Sequence, residues 1–245
     1  MLDVGQGEAI VISCEGHTAL LDGGNRNAYT DKCASVVLPY LRYQGIRALD
    51  AAIASHNDAD HAGGLLRVCQ RMEVGGLLLA GTEGDEGFME LMACAEQKGM
   101  HVQTLIPGDV LKLGDAELTV LYSRPGGGNE DSIVFLLEYG DFSALFTGDA
   151  GFEAEAAFAS AAEEIDLLKV GHHGSKYSTS ETLLKRTRPR IAIISAGQGN
   201  VYGFPAPETI ARLNAAGAKV FTTAERGAIT VRVSESGVSV STMLP

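Results

Sequence analysis

Four of the six histidines in this chain fall in two short motifs whose spacing suits metal binding. The first reads His56-Asn57-Asp58-Ala59-Asp60-His61, with four nitrogen or oxygen donors in six residues. His56 and Asp58 stand two positions apart, as do Asp58 and Asp60, and in extended backbone that spacing sends side chains to one side. Asp60 and His61 are adjacent and aim differently, which suits a second ion. The second motif is the pair His172-His173, between Gly171 and Gly174. Imidazoles and carboxylates together hold Zn²⁺ or Mn²⁺. The competing reading of the first motif is a polar loop in which Asp60 caps the helix that follows.

The motifs need elements to position them. A short apolar run, Asp50–Ser55, ends at His56, and a helix is expected over Gly63–Arg71. A strand over Phe142–Thr147 ends in Gly148-Asp149, and a strand over Ile165–Val170 runs into the double histidine. Three strands that each end in ligand-type side chains describe a site at one sheet edge. Around them the pattern predicts a hairpin of Glu8–Ser13 with Thr18–Leu21, and helices over Ala34–Tyr43, Gly87–Lys98, Phe152–Ala162, Ser180–Arg186 and Pro207–Ala216. A second strand-rich region covers Asp109–Leu113, Ala116–Tyr122 and Ser132–Tyr139, and later strands follow at Ile191–Ser195, Lys219–Thr222, Ala228–Val233 and Val238–Thr242. No low-complexity linker divides the chain. Two strand-rich regions flanked by helices imply two packed sheets with helices outside, a four-layer αβ/βα sandwich of the α/β class, as one domain over residues 1–245.

The net charge of −12 argues against a broad basic surface for non-specific DNA binding. It does not exclude a nucleic-acid substrate, because bound divalent ions would make the site itself positive. Six of the 19 basic residues fall between Lys169 and Arg190: Lys169, Lys176, Lys185, Arg186, Arg188 and Arg190. That run reads either as a solvated helix face or as contacts to flanking phosphates. The four cysteines form no CxxC pair and are expected to be free and partly buried. No apolar run reaches the roughly 18 residues that span a bilayer. The chain reads as a soluble domain whose abrupt start in strand-like sequence fits a piece of a longer membrane protein. Gly5-Gln6-Gly7 lacks phosphate-loop spacing and reads as a turn near the metal motif. No motif for an organic cofactor is present.

The order HxDxDH, then Thr147-Gly148-Asp149, then Gly171-His172-His173-Gly174-Ser175 resembles the metallo-β-lactamase superfamily. The usual first motif there is HxHxDH, and Asp58 stands where the middle histidine would be. Further segments narrow the likeness: Leu2-Asp3-Val4-Gly5-Gln6-Gly7-Glu8-Ala9, Leu21-Asp22-Gly23-Gly24, Leu167-Leu168-Lys169-Val170 and Asn200-Val201-Tyr202-Gly203-Phe204-Pro205. With these, nearly the whole chain is similar to the C-terminal hydrolase domain of the ComEC family of DNA-uptake competence channels.

The resemblance implies a metallo-β-lactamase fold with two divalent ions, Mn²⁺ favoured by the carboxylates and Zn²⁺ also suited. It assigns His56 and Asp58 to one ion, and Asp60 and His61 to the other. Asp149 matches the bridging aspartate, and His173, ahead of His172, matches the late ligand. His172 then lies near the substrate phosphate, and Asp60, Asp149 and His172 form the catalytic group. Asp22 supports the metal loop from behind, and Asn129 or Asp131 stands in the loop Ser123–Ser132 where the superfamily usually supplies another histidine. Without that histidine the His56–Asp58 ion is the weaker one. Lys169, Ser175, Lys176 and Tyr202 are the expected substrate contacts, and Phe204 replaces a histidine of the family's usual Tyr-Gly-His-Pro motif. Paired ions would lower the pKa of a bound water from about 15.7 to about 7 and neutralise a phosphodiester. The implied function is a nuclease that degrades DNA, one strand of it during uptake. The implied location is the extracytoplasmic or membrane-associated part of a bacterial competence protein, with single-stranded DNA and the channel portion of the same polypeptide as partners. The alternatives are a hydrolase of smaller phosphodiesters, of phosphocholine or cyclic-nucleotide type, and a metal-poor module that binds DNA or a protein partner. Lactam hydrolysis is disfavoured by the carboxylate-rich metal loop.

Overall fold

The structure is a computed structural model that describes residues 1–27 and 29–245. Its strands are β1 (Ile10–Cys14), β2 (His17–Leu21), β3 (Ala48–Leu49), β4 (Ala51–Ala54), β5 (Glu73–Val74), β6 (Gly76–Leu79), β7 (His101–Thr104), β8 (Val110–Leu113), β9 (Ala116–Tyr122), β10 (Val134–Tyr139), β11 (Phe142–Phe146), β12 (Leu167–Lys169), β13 (Ile191–Ile194), β14 (Lys219–Thr222), β15 (Ile229–Ser234) and β16 (Gly237–Thr242). Its α-helices are α1 (Leu38–Tyr43), α2 (Leu65–Arg71), α3 (Glu86–Gln97), α4 (Phe152–Phe158), α5 (Glu181–Thr187), α6 (Pro207–Ala215) and α7 (Thr223–Arg226). One sheet runs β1-β2-β4-β6-β7, and the other runs β14-β13-β12-β11-β10-β9-β8. The pairs β15-β16 and β3-β5 stand apart from both.

The layers follow from side-chain alternation. In β4, Ala52 and Ala54 face a core shared with α1, α2 and α3, while Ala51 and Ile53 face the other sheet. In β11, Leu145 packs toward α4, α5 and α6, while Ala144 and Phe146 face inward. Strands buried on both faces read as continuous apolar runs, as these do. The three resulting apolar clusters separate four layers, helix-sheet-sheet-helix, as the sequence pattern predicts.

Differences from expectation have local causes. Ala34–Tyr43 is not one α-helix: a wide turn over Cys33–Val37 hands over to α1, with Pro39 in the first turn of the latter. Proline lacks an N–H to donate, and a first turn tolerates that. Strand β10 starts at Val134 rather than Ser132, because Asn129–Asp131 forms a single 3₁₀ turn. The cysteines are free, with Cys33 and Cys69 buried. Among the described residues, no helix is long and apolar enough to cross a membrane.

What matters for the site is direction. β2 runs parallel to β4, and β11, β12 and β13 run parallel to one another. Their carboxyl ends therefore share one edge of the sandwich. That edge collects Asp22, the segment from Ser55 to His61, Asp149, the double histidine and Ser195.

Candidate metal centre

Asp22 follows β2 in the left-handed region, at φ 60, and is fully buried. Its Oδ1 accepts from Ser55 N–H at 2.8 Å, and its Oδ2 accepts from Ser55 Oγ at 2.7 Å. The same Oδ2 lies 2.8 Å from His61 Nδ1, so the ring donates there and turns Nε2 inward. Burial by itself opposes an imidazolium at His61, but Asp149 and Asp22 outweigh it and raise the pKa well above the ordinary value.

His173 is set by the same logic. Its Nδ1 lies 2.9 Å from the carbonyl oxygen of Ser195, so that nitrogen carries the proton and Nε2 is left free. The free Nε2 sits 3.2 Å from His61 Nε2, 3.3 Å from Asp60 Oδ2 and 3.5 Å from Asp149 Oδ2. Burial opposes ionisation of Asp60, yet its contact with His173 and the charge of His61 hold its pKa at about 2. Asp149 is likewise pushed up by burial and pulled further down by His61 and His173, well below the usual carboxylate range. Its Oδ1 stands 3.3 Å from His61 Nε2, and its N–H donates to Ser132 Oγ at 3.0 Å. Gly148 turns the chain there at φ +51, where a Cβ would lie 2.8 Å from that of Ser132. His172 and His173 also occupy the left-handed region, at φ 47 and 52, a conformation that costs about 1–2 kcal/mol per residue without glycine. Surrounding contacts must hold that shape.

The other half of the site is more open. His56 is buried, its Nδ1 is 3.1 Å from Ser55 Oγ, and its Nε2 has no hydrogen-bond partner. Asp58 leaves 54% of its side chain exposed, 3.7 Å from His56 Nε2. His172 lies at the mouth with Nε2 3.4 Å from Asn129 Nδ2 and 3.7 Å from Asp149 Oδ2. Asp60 caps no helix, because α2 begins at Leu65 with Gly64 before it and no side-chain cap.

These residues suit divalent ions. Donor atoms of His56, His61 and Asp149 lie within 4.8 Å of one another, and so do those of Asp60, His61 and His173. The two sets share His61, and Asp149 reaches both. His56 Nε2 and Asp149 Oδ1 are buried polar atoms without a hydrogen-bond partner. Leaving such atoms unmatched costs roughly 1–3 kcal/mol each, which a cation between them removes.

Of the expected substrate contacts, Lys169 is misplaced. It is fully buried behind the site, ion-paired to Glu8, with Nζ donating to Gly148 O at 2.8 Å and 3.9 Å from Asp149 Oδ1. It cannot reach a substrate phosphate, because β12 is enclosed on both faces. Ser175 is also buried, and its Oγ accepts from Tyr177 N–H at 3.3 Å. Nor do Arg188 and Arg190 line the site: they pair with Glu164 and Asp166 before β13, at the opposite edge. Lys176 and Tyr202 are exposed. The sequence reading missed Glu8 and Ser55. A carboxylate opening an apolar strand was the available signal for Glu8; nothing local marked Ser55.

Two facing sheets between helix layers, with histidine and aspartate donors gathered at one edge, define an αβ/βα metal-site architecture. The sequence pattern of the metallo-beta-lactamase superfamily matches residues 2–198, and the chain belongs to that superfamily of metal-dependent hydrolases. Among curated proteins it is 37% identical to "Recombination protein 2" of Haemophilus influenzae, over 94% of this chain and 28% of that protein. It is 31% identical to "ComE operon protein 3" of Bacillus subtilis, over 95% of this chain and 32% of that protein. The chain thus spans under a third of the length of either relative. The metallo-beta-lactamase fold protein YhfI of Bacillus subtilis superposes with a TM-score of 0.55 at 16% identity, covering 89% of this chain and 92% of that one.

Proposed function

We propose that the chain is a metal-dependent phosphodiesterase acting on DNA, and that it degrades one strand during uptake through the membrane-channel portion of the same polypeptide. The observation that carries the reading is the pair of overlapping donor sets sharing His61, with Asp149 reaching both. Asp58, Asp60 and Asp149 supply hard oxygen donors beside three imidazoles, which favours Mn²⁺ and still admits Zn²⁺. Ions held there would supply Lewis acidity to the phosphoryl group and an acidified water. Asp22 and the Ser195 carbonyl hold His61 and His173 in the tautomers that leave Nε2 inward. Hydrolysis puts a water oxygen on phosphorus, breaks one P–O ester bond and returns a proton to the leaving oxygen. His172, partly exposed at the mouth beside Asn129, is the side chain assigned to that proton.

A second reading, hydrolysis of smaller phosphodiesters, is favoured by one observation. Lys169 is sealed inside and Arg188 and Arg190 are paired elsewhere, so much of the expected phosphate-gripping run is not available, although Lys176 stays exposed. Metal analysis of protein purified without chelator, then assay with added Mn²⁺ on single-stranded DNA, duplex DNA and a chromogenic phosphodiester, separates the readings. Cleavage of DNA is the expected result. Cleavage of the small ester alone would sink the nuclease reading. Protein that holds no metal and gains neither stability nor activity from Mn²⁺ would be a binding module instead.

A further inference from the structure

The turn after β13 builds an aromatic ladder leading out of the metal centre. Phe204 stacks on His173 with ring centres 6.2 Å apart and planes 29° from parallel, and it meets the edge of His172 at 5.5 Å. Tyr202 stacks on Phe204 at 5.8 Å with planes 16° apart. Beyond Tyr202 there is solvent: the residue is 65% exposed, and no described residue hydrogen-bonds its hydroxyl. The Asn200 side chain holds the turn rigid. Its Nδ2 donates to Gly197 O at 2.8 Å and Phe204 O at 2.6 Å, and its Oδ1 accepts from Tyr202 N–H at 3.2 Å and Phe204 N–H at 3.0 Å. That uses both donors and both lone pairs of the amide. The backbone that carries the Tyr202 ring is thus held in place, and the ring, largely exposed, ends a stack that starts on a metal-site histidine.

We propose that the outer face of Tyr202 is a stacking subsite for an unpaired nucleobase flanking the phosphodiester at the metal centre. The inference rests on the phosphodiesterase reading above and specifies its substrate class. Stacking adds affinity that does not depend on charge: the chain carries a net −12, and of its basic run Lys169 is buried and Arg188 and Arg190 are paired, while Lys176 stays exposed. Every base has a π-face, so the subsite tolerates any sequence, and each stacked base contributes substantially to single-strand binding. In a duplex the neighbouring bases already cover both faces, so the subsite selects single strands.

The chain contains no tryptophan, so Tyr202→Trp introduces a single indole reporter. With its divalent ions bound, the full chain carrying this change is titrated with phosphorothioate oligothymidylate, which resists cleavage, and with an abasic oligomer of equal length. Saturable quenching by the base-bearing oligomer only is expected, and Tyr202→Ala should weaken binding of that oligomer roughly tenfold. Equal quenching by both oligomers, or unchanged affinity in Tyr202→Ala, overturns the subsite. Hydrolysis of nucleobase-free methyl p-nitrophenyl phosphate by the unaltered chain reports separately on the reaction. Hydrolysis without quenching removes the subsite alone, and quenching without hydrolysis removes the reaction alone.

Discussion

The two halves of the metal centre are built differently. Around Asp60, His61, Asp149 and His173, each histidine has a buried partner on its outer nitrogen, and Asp149 is anchored through Ser132. Around His56 and Asp58, the His56 ring has Ser55 Oγ on Nδ1 but its Nε2 is buried without a hydrogen bond, and Asp58 is half in solvent. A ligand held before the ion arrives loses little freedom on binding, whereas an exposed aspartate must be ordered and stripped of water. The contrast teaches that occupancy follows the support behind the ligands as well as their number. Behind Asp149, which reaches both halves, lie Lys169 and Glu8, a fully buried ion pair.

The sharpest way to break the contrast is Asp149→Asn, since Asp149 reaches both halves. Hydrolysis should fall to background and both ions should be lost, measured by activity and metal analysis with the circular dichroism spectrum unchanged. Full activity would mean the bridge lies elsewhere. Next comes the support beneath it. Lys169→Met leaves Glu8 buried without its partner and should cost about 3–5 kcal/mol in denaturant unfolding, and the double change Glu8→Gln with Lys169→Met should recover much of the loss. A single change with no measurable cost would refute the buried pair.

The halves then separate directly. Asp22→Asn turns an amide toward His61 Nδ1 and should weaken binding of the firm ion about 10–100-fold in chelator competition. Asp58→Ala should change binding of that ion by less than about tenfold while lowering total metal content. The reverse ranking would show that the open half is the firm one.

The smallest effect is on pH. Without metal, His61 has a raised pKa, so its contribution to stability is complete below about pH 6.5 and is lost as pH rises through the folded value. Asp60 has a lowered pKa, so its contribution is complete above about pH 4 and is lost as pH falls toward about 2. The thermal midpoint of metal-free protein should therefore be highest between about pH 4 and 6.5 and lower by a few degrees at pH 9. A midpoint climbing steadily to pH 9 would contradict this. Added metal should flatten the decline, because ions displace the proton from His61.

Much of the centre was legible without coordinates. His56, Asp58, Asp60 and His61 declare themselves by spacing, and Asp149 and the double histidine by standing at the ends of apolar strands; the preference for His173 over His172 came from the family resemblance. Asn129 was one of two loop residues that the family resemblance offered, and it lies beside His172. Lys169 was misread for a physical reason: a lysine ending a strand normally reaches solvent, and only packing of both sheet faces together with Glu8 reverses that. Phe204 read as a missing histidine, whereas its ring forms the middle of the aromatic ladder.

The donor types, the strands that carry them and the four-layer order were written in local spacing and alternation, which the chain holds residue by residue. Which lone pairs meet, which nitrogen of each histidine is protonated, where Lys169 goes and what Tyr202 stacks on were not. Those depend on groups far apart in the chain, such as Asp22 with His61, Ser195 with His173 and Glu8 with Lys169, whose contacts exist only once the two sheets close on one another.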